Sequence, residues 1–367
     1  MASLIICTRL HEISAFSSTD SSSLYHHRHY TTSALYALHL LTFDLDDTIF
    51  PITPVVSDAN VAQLQTLVKF GYTNASNEQI IAASKQIRTE LREAGNAITY
   101  SDLRKQSIRR EIERLSGLDD SVVHDTVIET IFNAWLTERH ASAERNLFPH
   151  TADALQAIRE QYPDVVIGAI TNGRGSPLEM PSIKEYFDFC ISGEDEGVFP
   201  RRKPDKGIYE AAIQKYNNMQ GLSSFTDIKW IHVGDDLSND VGASALCGAN
   251  AIWFTMESEK ENDIPVWSTA TQDELQKRKT MDLVAKEYVS IQISSLQQLP
   301  DAVAEVLKMS FRVIKQLIRY LTCQIYSYIF NLVSTDMTKK DKSITKSNEG
   351  INQEDSCQRC ALFQDSL

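Results

Sequence analysis

Residues 38–48 read LHLLTFDLDDT, an apolar run that ends abruptly in carboxylates. Such a run fits a strand buried on both faces, and strands of that kind belong to parallel sheets covered by helices. The polar groups must then emerge where the strand ends, so Asp44, Asp46 and Asp47 are predicted at the C-terminal edge of a sheet.

The same pattern recurs along the chain. VVIGAITNG (165–173), FDFCISG (187–193), IKWIHVGDD (228–236) and NAIWF (250–254) are short apolar segments bounded by turn residues. Between them TADALQAIREQY, DKGIYEAAIQKY and NDVGASALCG have helical length and composition. Alternation of this kind predicts an α/β fold, a parallel sheet with helices on both faces. Residues 57–146 break the rhythm with four helix-like segments and no convincing strand, which predicts an all-helical insert. It leaves the sheet just after the first strand, and so is placed over the edge where open α/β sheets bind ligands. The core would then comprise 39–56 and 147–300.

The flanks have a different character. Residues 1–38 are rich in Ser, Thr and His and poor in acids, a composition similar to a transit peptide, so plastid or mitochondrial import is one expectation and a cytoplasmic location with an unstructured extension the other. Residues 301–333 predict an amphipathic helix with a basic face, suited to docking on the core, a partner or a membrane surface. Residues 334–367 are polar and aperiodic and predict a disordered tail. Its Cys357 and Cys360 form a single CxxC with no second pair, a weak metal or redox signal. A net charge of -13 argues against a nucleic-acid surface, and no apolar stretch is long enough for a transmembrane span. A small molecule is the expected partner.

In an extended segment, residues two apart face the same side, so Asp44 and Asp46 can address one reacting group. Asp44 would attack phosphorus and Asp46 would protonate the leaving alcohol, then activate water. Adjacent carboxylates also call for a cation. Asp47 would support the loop through hydrogen bonds. Thr171 and Asn172 of TNG, with Lys203 before Pro204, are candidates to hold phosphate oxygens. Asp235 would complete a Mg²⁺ site, with Asp236 and Asp240 in support. Each element has a plainer reading when isolated: a solvated turn for the acids, a turn for TNG, a helix cap for Asp240. Four such elements, in order and at strand ends, favour chemistry.

Together DLDDT, TN, KP and GDD-x₃-D resemble the signature motifs of the haloacid dehalogenase-like superfamily over about residues 40–256. The resemblance implies a Rossmann-like core and an aspartyl-phosphate mechanism. Mg²⁺ would be held by Asp44, the Asp46 main-chain carbonyl and Asp235, phosphate by Thr171 and Lys203. The insert resembles the superfamily's helical cap. LTFDLDDTIF, AITNGRGSP and HVGDDLSNDVGAS are most similar to bacterial phosphatases acting on flavin mononucleotide and a phosphoribitylamino-uracil. Substrate choice would lie in the cap, at residues such as Tyr100, Arg104, Arg109 and Trp135, and near Arg174. EDEGVFPRR, before Lys203, has no role in this resemblance. A dehalogenase would not need an acid at Asp46; a sugar-phosphate mutase would, and a non-catalytic scaffold remains the alternative outside enzymes.

Overall fold

The computed structural model describes residues 37–117, 124–222, 228–255, 268 and 270–309. Most of the N-terminal extension, residues 310–333 of the expected C-terminal helix, and the tail with its CxxC lie outside the described residues.

The apolar runs become strands β1 (Leu40–Phe43), β2 (Val166–Thr171), β3 (Phe189–Ser192), β4 (Trp230–Gly234), β5 (Asn250–Phe254) and β6 (Val289–Ile293). All pairings are parallel and the order is β3-β2-β1-β4-β5-β6. β1 is central, with Leu40 opposite both Val166 and Trp230. The chain steps outward from β1 to β3, then returns to place β4 on the other side of β1. That reversal opens a crevice between the ends of β1 and β4.

Helices α1 (Ile52–Lys69), α2 (Asn77–Glu93), α3 (Tyr100–Ser116) and α4 (Asp125–Arg145) lie between β1 and β2 in the sequence. Their limits follow from local chemistry. Thr99 caps α3 by accepting from Asp102 N at 2.9 Å, and Gly117 ends it at φ 65°, a conformation that costs glycine little. The insert has its own core around Ile80, Ile108, Ile112, Ile131 and Trp135. However, α1 starts at Ile52, before the expected boundary at 57, and Ile52, Val55 and Ala143 pack into the main core. Ala59 and Leu67, further along α1, belong to the insert. The joint between the two units therefore falls within paired helices rather than in a loop.

Helices α5 (Thr151–Gln161), α6 (Lys206–Gln220), α7 (Ala243–Leu246) and α8 (Gln272–Ala285) complete the named set. The pleat sends Leu41, Phe43, Ile167, Ile231 and Val233 to one face, against Leu155 and Ile158 of α5. Leu40, Val166, Ile170 and Trp230 go to the other, against Ile208, Tyr209 and Ala212 of α6. Residues 299–309 are helical, and Ala302, Val303, Val306 and Leu307 join the first core. Over its described residues the C-terminal helix is thus a core element. Among the described residues no helix is long and apolar enough to cross a membrane.

Gly168 shows how closely the sheet packs. A Cβ there would lie 2.2 Å from the Phe189 ring on the neighbouring strand. Gly168→Ala should destabilise the protein by about 1–3 kcal/mol in thermal or urea unfolding. An unchanged midpoint would mean that the ring can swing aside at no cost.

Candidate active site

Asp44 follows β1 and is still held by the sheet, its N–H donating to Val233 O at 2.9 Å. The chain then turns sharply: Thr48 N and Ile49 N both donate to Leu45 O, and Asp47 takes the left-handed conformation at φ 63°. Asp is one of the few residues that tolerate this. The Asp47 carboxylate accepts from Ile52 N at 2.9 Å, satisfying the first amide of α1, since Pro51 offers no side-chain cap. This is the loop support expected of it. Thr48 Oγ1 accepts from Asp235 N at 3.0 Å and donates to Asp235 Oδ1 at 3.3 Å, tying the β1 loop to the end of β4. Nothing in the one-dimensional pattern singled out Thr48, whose role exists only because β4 lies beside β1.

Lys203 is buried, and its Nζ donates to Asp44 Oδ1 at 2.5 Å and to Asp240 Oδ1 at 2.7 Å. Asn172 holds the lysine's main chain from both sides: Oδ1 accepts from Lys203 N at 2.8 Å and Nδ2 donates to Lys203 O at 3.2 Å. The Asn172 amide thus positions Lys203, using one of its two Nδ2 hydrogens, and the residue also lines the cavity between the two units. Thr171 is buried at the end of β2, where its hydroxyl accepts from Gly173 N at 3.4 Å.

Asp236, not Asp240, caps the following helix, accepting from Ser238 N and Asn239 N at 3.0 and 2.9 Å and pairing with Arg278 of α8. The first turns there are π-helical: Val241 N reaches Asp236 O, five residues back. Asp240 is thereby turned inward. Its Oδ2 accepts from Asp236 N at 3.1 Å, and its Oδ1 receives Lys203 and faces His232 Nε2 at 3.5 Å. Behind it, Trp230 Nε1 donates to Thr42 Oγ1 at 2.8 Å, leaving the hydroxyl proton for His232 Nδ1 at 2.8 Å. The imidazole proton then sits on Nε2, directed at Asp240. Burial lowers the His232 pKa and favours the neutral ring.

Oxygen atoms of Asp44, Asp235 and Asp240 lie within 4.8 Å of one another, and the Lys203 ammonium pairs with two of them, Asp44 and Asp240. Burial alone would lower the Lys203 pKa, but Asp240 and Asp44 more than offset it and keep the side chain charged. Burial would likewise raise Asp240, yet Lys203 and His232 hold it below the ordinary range. The deficit falls on the other two. Asp44 is pushed up to about 8, chiefly by burial against the opposing Lys203, and Asp235 well above its ordinary value, by burial and then by Asp240 and Asp44. Three carboxylates against one cation is a donor set short of positive charge, and hard oxygen ligands of this kind fit a divalent ion such as Mg²⁺. Asp44 and Asp235 carry the atoms that would hold it. Both oxygens of Asp240 are engaged, by Lys203 and by Asp236 N, whereas Lys203 takes only one oxygen of Asp44; the Asp46 carboxylate is turned away, leaving its main-chain carbonyl.

The Asp46 carboxylate instead accepts from Arg139 Nη2 of α4 at 2.7 Å. Two further polar contacts bridge sheet and insert. Glu194 accepts from Ser101 N at 3.2 Å, in the first turn of α3, and Arg202 donates to Ile98 O at 3.0 Å. Both belong to the EDEGVFPRR segment that the sequence pattern left without a role. Between the units lies a cavity of about 590 Å³ whose walls include Asp46, Asn172 and Arg174 from the sheet side and Tyr100, Arg104 and Trp135 from the insert. Arg109, the fourth expected cap residue, pairs with Asp125 and is not among the residues lining this cavity.

The charge deficit has a pH signature. Between the ordinary Asp value of 3.8 and about 8, folded Asp44 keeps a proton that the unfolded chain has released. Its contribution to stability is full below the lower value and is lost as pH rises through the upper one. Metal-free protein should therefore melt at lower temperature as pH rises from about 5 to 9, with a shallower slope in Asp44→Asn, and Mg²⁺ should stabilise most at the alkaline end. A slope unaltered by the substitution would remove the charge-deficit account.

A family model described as haloacid dehalogenase-like hydrolase matches residues 38–248. The chain is 29% identical over 220 residues to the 5-amino-6-(5-phospho-D-ribitylamino)uracil phosphatase of Escherichia coli (strain K12), covering 59% of this chain and 84% of that enzyme. It is 21% identical over 221 residues to the ribulose-1,5-bisphosphate 5-phosphatase of Halopiger xanaduensis, covering 60% and 85%. In structure it is similar to the 2-haloacid dehalogenase of Pseudomonas syringae pv. Tomato DC3000, with a TM-score of 0.53, 22% identity, and coverage of 73% of this chain and 99% of that one, a likeness of fold. With six parallel strands in this order, a helical insert after the first and a family match over more than half its length, the chain belongs to the haloacid dehalogenase-like hydrolases.

Proposed function

We propose that the protein is a Mg²⁺-dependent phosphate-monoester hydrolase working through an aspartyl-phosphate on Asp44. The observation that carries this reading is the juxtaposition of a buried Asp44 bound to Lys203 with Asp46 two residues on, at the wall of the cavity. The names of the two phosphatase relatives support the same reaction class.

An Asp44 carboxylate oxygen attacks phosphorus as the ester P–O bond breaks, and Asp46 in its acid form protonates the departing alkoxide. Asp46, now a carboxylate, then takes a proton from water as that water attacks the aspartyl-phosphate, releasing phosphate and restoring Asp44. The ion pair with Arg139 fixes the orientation of the Asp46 carboxylate at the cavity wall. Lys203 and Thr171 supply an ammonium and a hydroxyl to the phosphoryl oxygens. Held by Asp44, Asp235 and the Asp46 carbonyl, Mg²⁺ would supply the charge neutralisation that two carboxylates and a phosphate require. Asp240 acts through Lys203, and Asp236 through the helix start that aims Asp240.

The substrate is a small phosphorylated metabolite. The motif likeness and the Escherichia coli relative place flavin mononucleotide and the ribitylamino-uracil phosphate on the panel to be tested, beside sugar phosphates and bisphosphates. Phosphate release with Mg²⁺ should fall by about a thousandfold or more in Asp44→Asn. Asp240→Asn, which leaves Lys203 one anchor short, should lower kcat by about a hundredfold. A folded, Mg²⁺-loaded protein that releases no phosphate from any ester would overturn the reading, as would an Asp44→Asn variant of undiminished activity.

A further inference from the structure

The cavity wall formed by the insert presents hydrogen-bond donors whose acceptors are already used. Arg104 of α3 lies 3.9 Å over the Trp135 ring, and its Nη1 donates to Asn60 Oδ1 at 3.1 Å and Gln63 Oε1 at 3.2 Å. Asn60 Oδ1 also receives Trp135 Nε1 at 3.0 Å, which fills its two lone pairs. Gln63 is fully buried, and its Nε2 has no acceptor among the described residues; the same holds for Nη1 of the buried Arg139. Two buried donors are thus left unmatched, an arrangement that costs stability.

Charge tells the same story. Four other arginines at this cavity pair with carboxylates, Arg92 with Glu274, Arg139 with Asp46, Arg174 with Glu194 and Arg278 with Asp236, while Arg88 donates to Ile98 O at 3.4 Å. Arg104 has only amides and an aromatic face, with no carboxylate partner among the described residues. Desolvation, and then the nearby Arg139, pull its guanidinium down to about 9, so it stays charged at neutral pH without a counter-ion. A cation desolvated and unpaired is costly unless a ligand neutralises it. The asymmetry matters: this wall offers donors and positive charge, and its amide acceptors are turned toward Arg104.

We propose that this part of the cavity binds a second oxyanion, carried at the end of the substrate remote from the scissile phosphate, with Arg104 as its counter-charge and Gln63 Nε2 and Arg139 Nη1 as additional donors. The inference rests on the phosphate-ester reading and narrows it to doubly anionic esters, whether sugar bisphosphates or phosphorylated carboxylic acids. Flavin mononucleotide and the ribitylamino-uracil phosphate, whose remote ends are uncharged rings, would be the poorer ligands. Planar Asn60 and Gln63 side chains fix the guanidinium over Trp135, so the site is built before the ligand arrives.

The test uses the full chain with Mg²⁺ and matched ester pairs: 2-phosphoglycolate against 2-hydroxyethyl phosphate, and a pentulose 1,5-bisphosphate against the 5-monophosphate. The expected result is a kcat/KM about 10- to 100-fold higher for the doubly anionic member of at least one pair. Which pair shows it separates a carboxylate from a second phosphate. Arg104→Gln should bring that ratio toward one, and Arg104→Lys should retain part of it. Gln63→Glu keeps the shape of the wall while giving Arg104 an internal counter-charge, so it should erase the ratio even if Arg104→Gln folds poorly. A ratio near one in the unaltered protein for both pairs would overturn the proposal, as would a ratio untouched by Arg104→Gln and Gln63→Glu; Arg104 would then be a packing partner of Trp135 alone. Calorimetric titration of the same pairs into Asp44→Asn separates this failure from that of the phosphatase reading. A binding preference that depends on Arg104, with no turnover of any ester, supports the second-oxyanion site and sinks the hydrolase assignment; equal binding within both pairs sinks the site.

Discussion

One ammonium, that of Lys203, is shared between two carboxylates beside a third, and the rest of the site is arranged around that shortage. A lysine buried at the end of a sheet survives there only with partners, and Asp44 and Asp240 provide them at 2.5 and 2.7 Å. Each partner is itself fixed. Asp44 is the last residue hydrogen-bonded to β4 before the chain turns away; Asp240 is aimed inward because Asp236 has capped the helix before it. Asn172, on the loop after β2, grips the lysine's main chain from both sides. Segments following three different strands therefore converge on one lysine, two of them on its ammonium and one on its main chain, and the positive charge still missing is the opening for a metal ion.

The support extends through the sheet. Thr42, His232 and Trp230 lie on the face covered by α6, with the His232 ring against Tyr209 edge to face, and they pass a chain of hydrogen bonds up to Asp240. Polar residues inside an otherwise apolar layer are costly unless each finds a partner. Here each does, and the layer holds the carboxylate in one orientation. What looks like core packing on that face is also the foundation of the site.

Contacts between sheet and insert divide into two kinds. Near the joint, Ile52 and Val55 of α1 and Ala143 of α4 are packed in apolar contact that nothing in solution can replace. Across the cavity the contacts are polar: Arg139 to Asp46, Glu194 to Ser101 N, Arg202 to Ile98 O. Water or the oxygen atoms of a ligand can substitute for these at small cost. The distribution places the fixed side of the cleft at the joint between α1 and the end of α4, and its exchangeable side across the cavity.

The strands and the residues after them were legible because buried parallel strands must be apolar throughout and can expose polar groups only at their ends. That constraint picked out Asp44, Asp46, Thr171 and Asp235 without coordinates, and the helical periodicity of residues 57–146 marked the insert. Partnerships were not legible. That Asn172 grips the main chain of Lys203 follows from the fold alone, and Asp240 had a plain reading as a helix cap until Asp236 was found in that place. Thr48, Arg139, Glu194 and His232 owe their roles to neighbours between 8 and 187 residues away in sequence. Sequence by itself determined which chemistry could stand at the sheet edge, because burial and backbone pairing act on each segment locally. Only the tertiary structure decided which charge meets which, because a hydrogen bond or ion pair depends on distances of a few ångströms that the order of the strands, not the order of the residues, brings about.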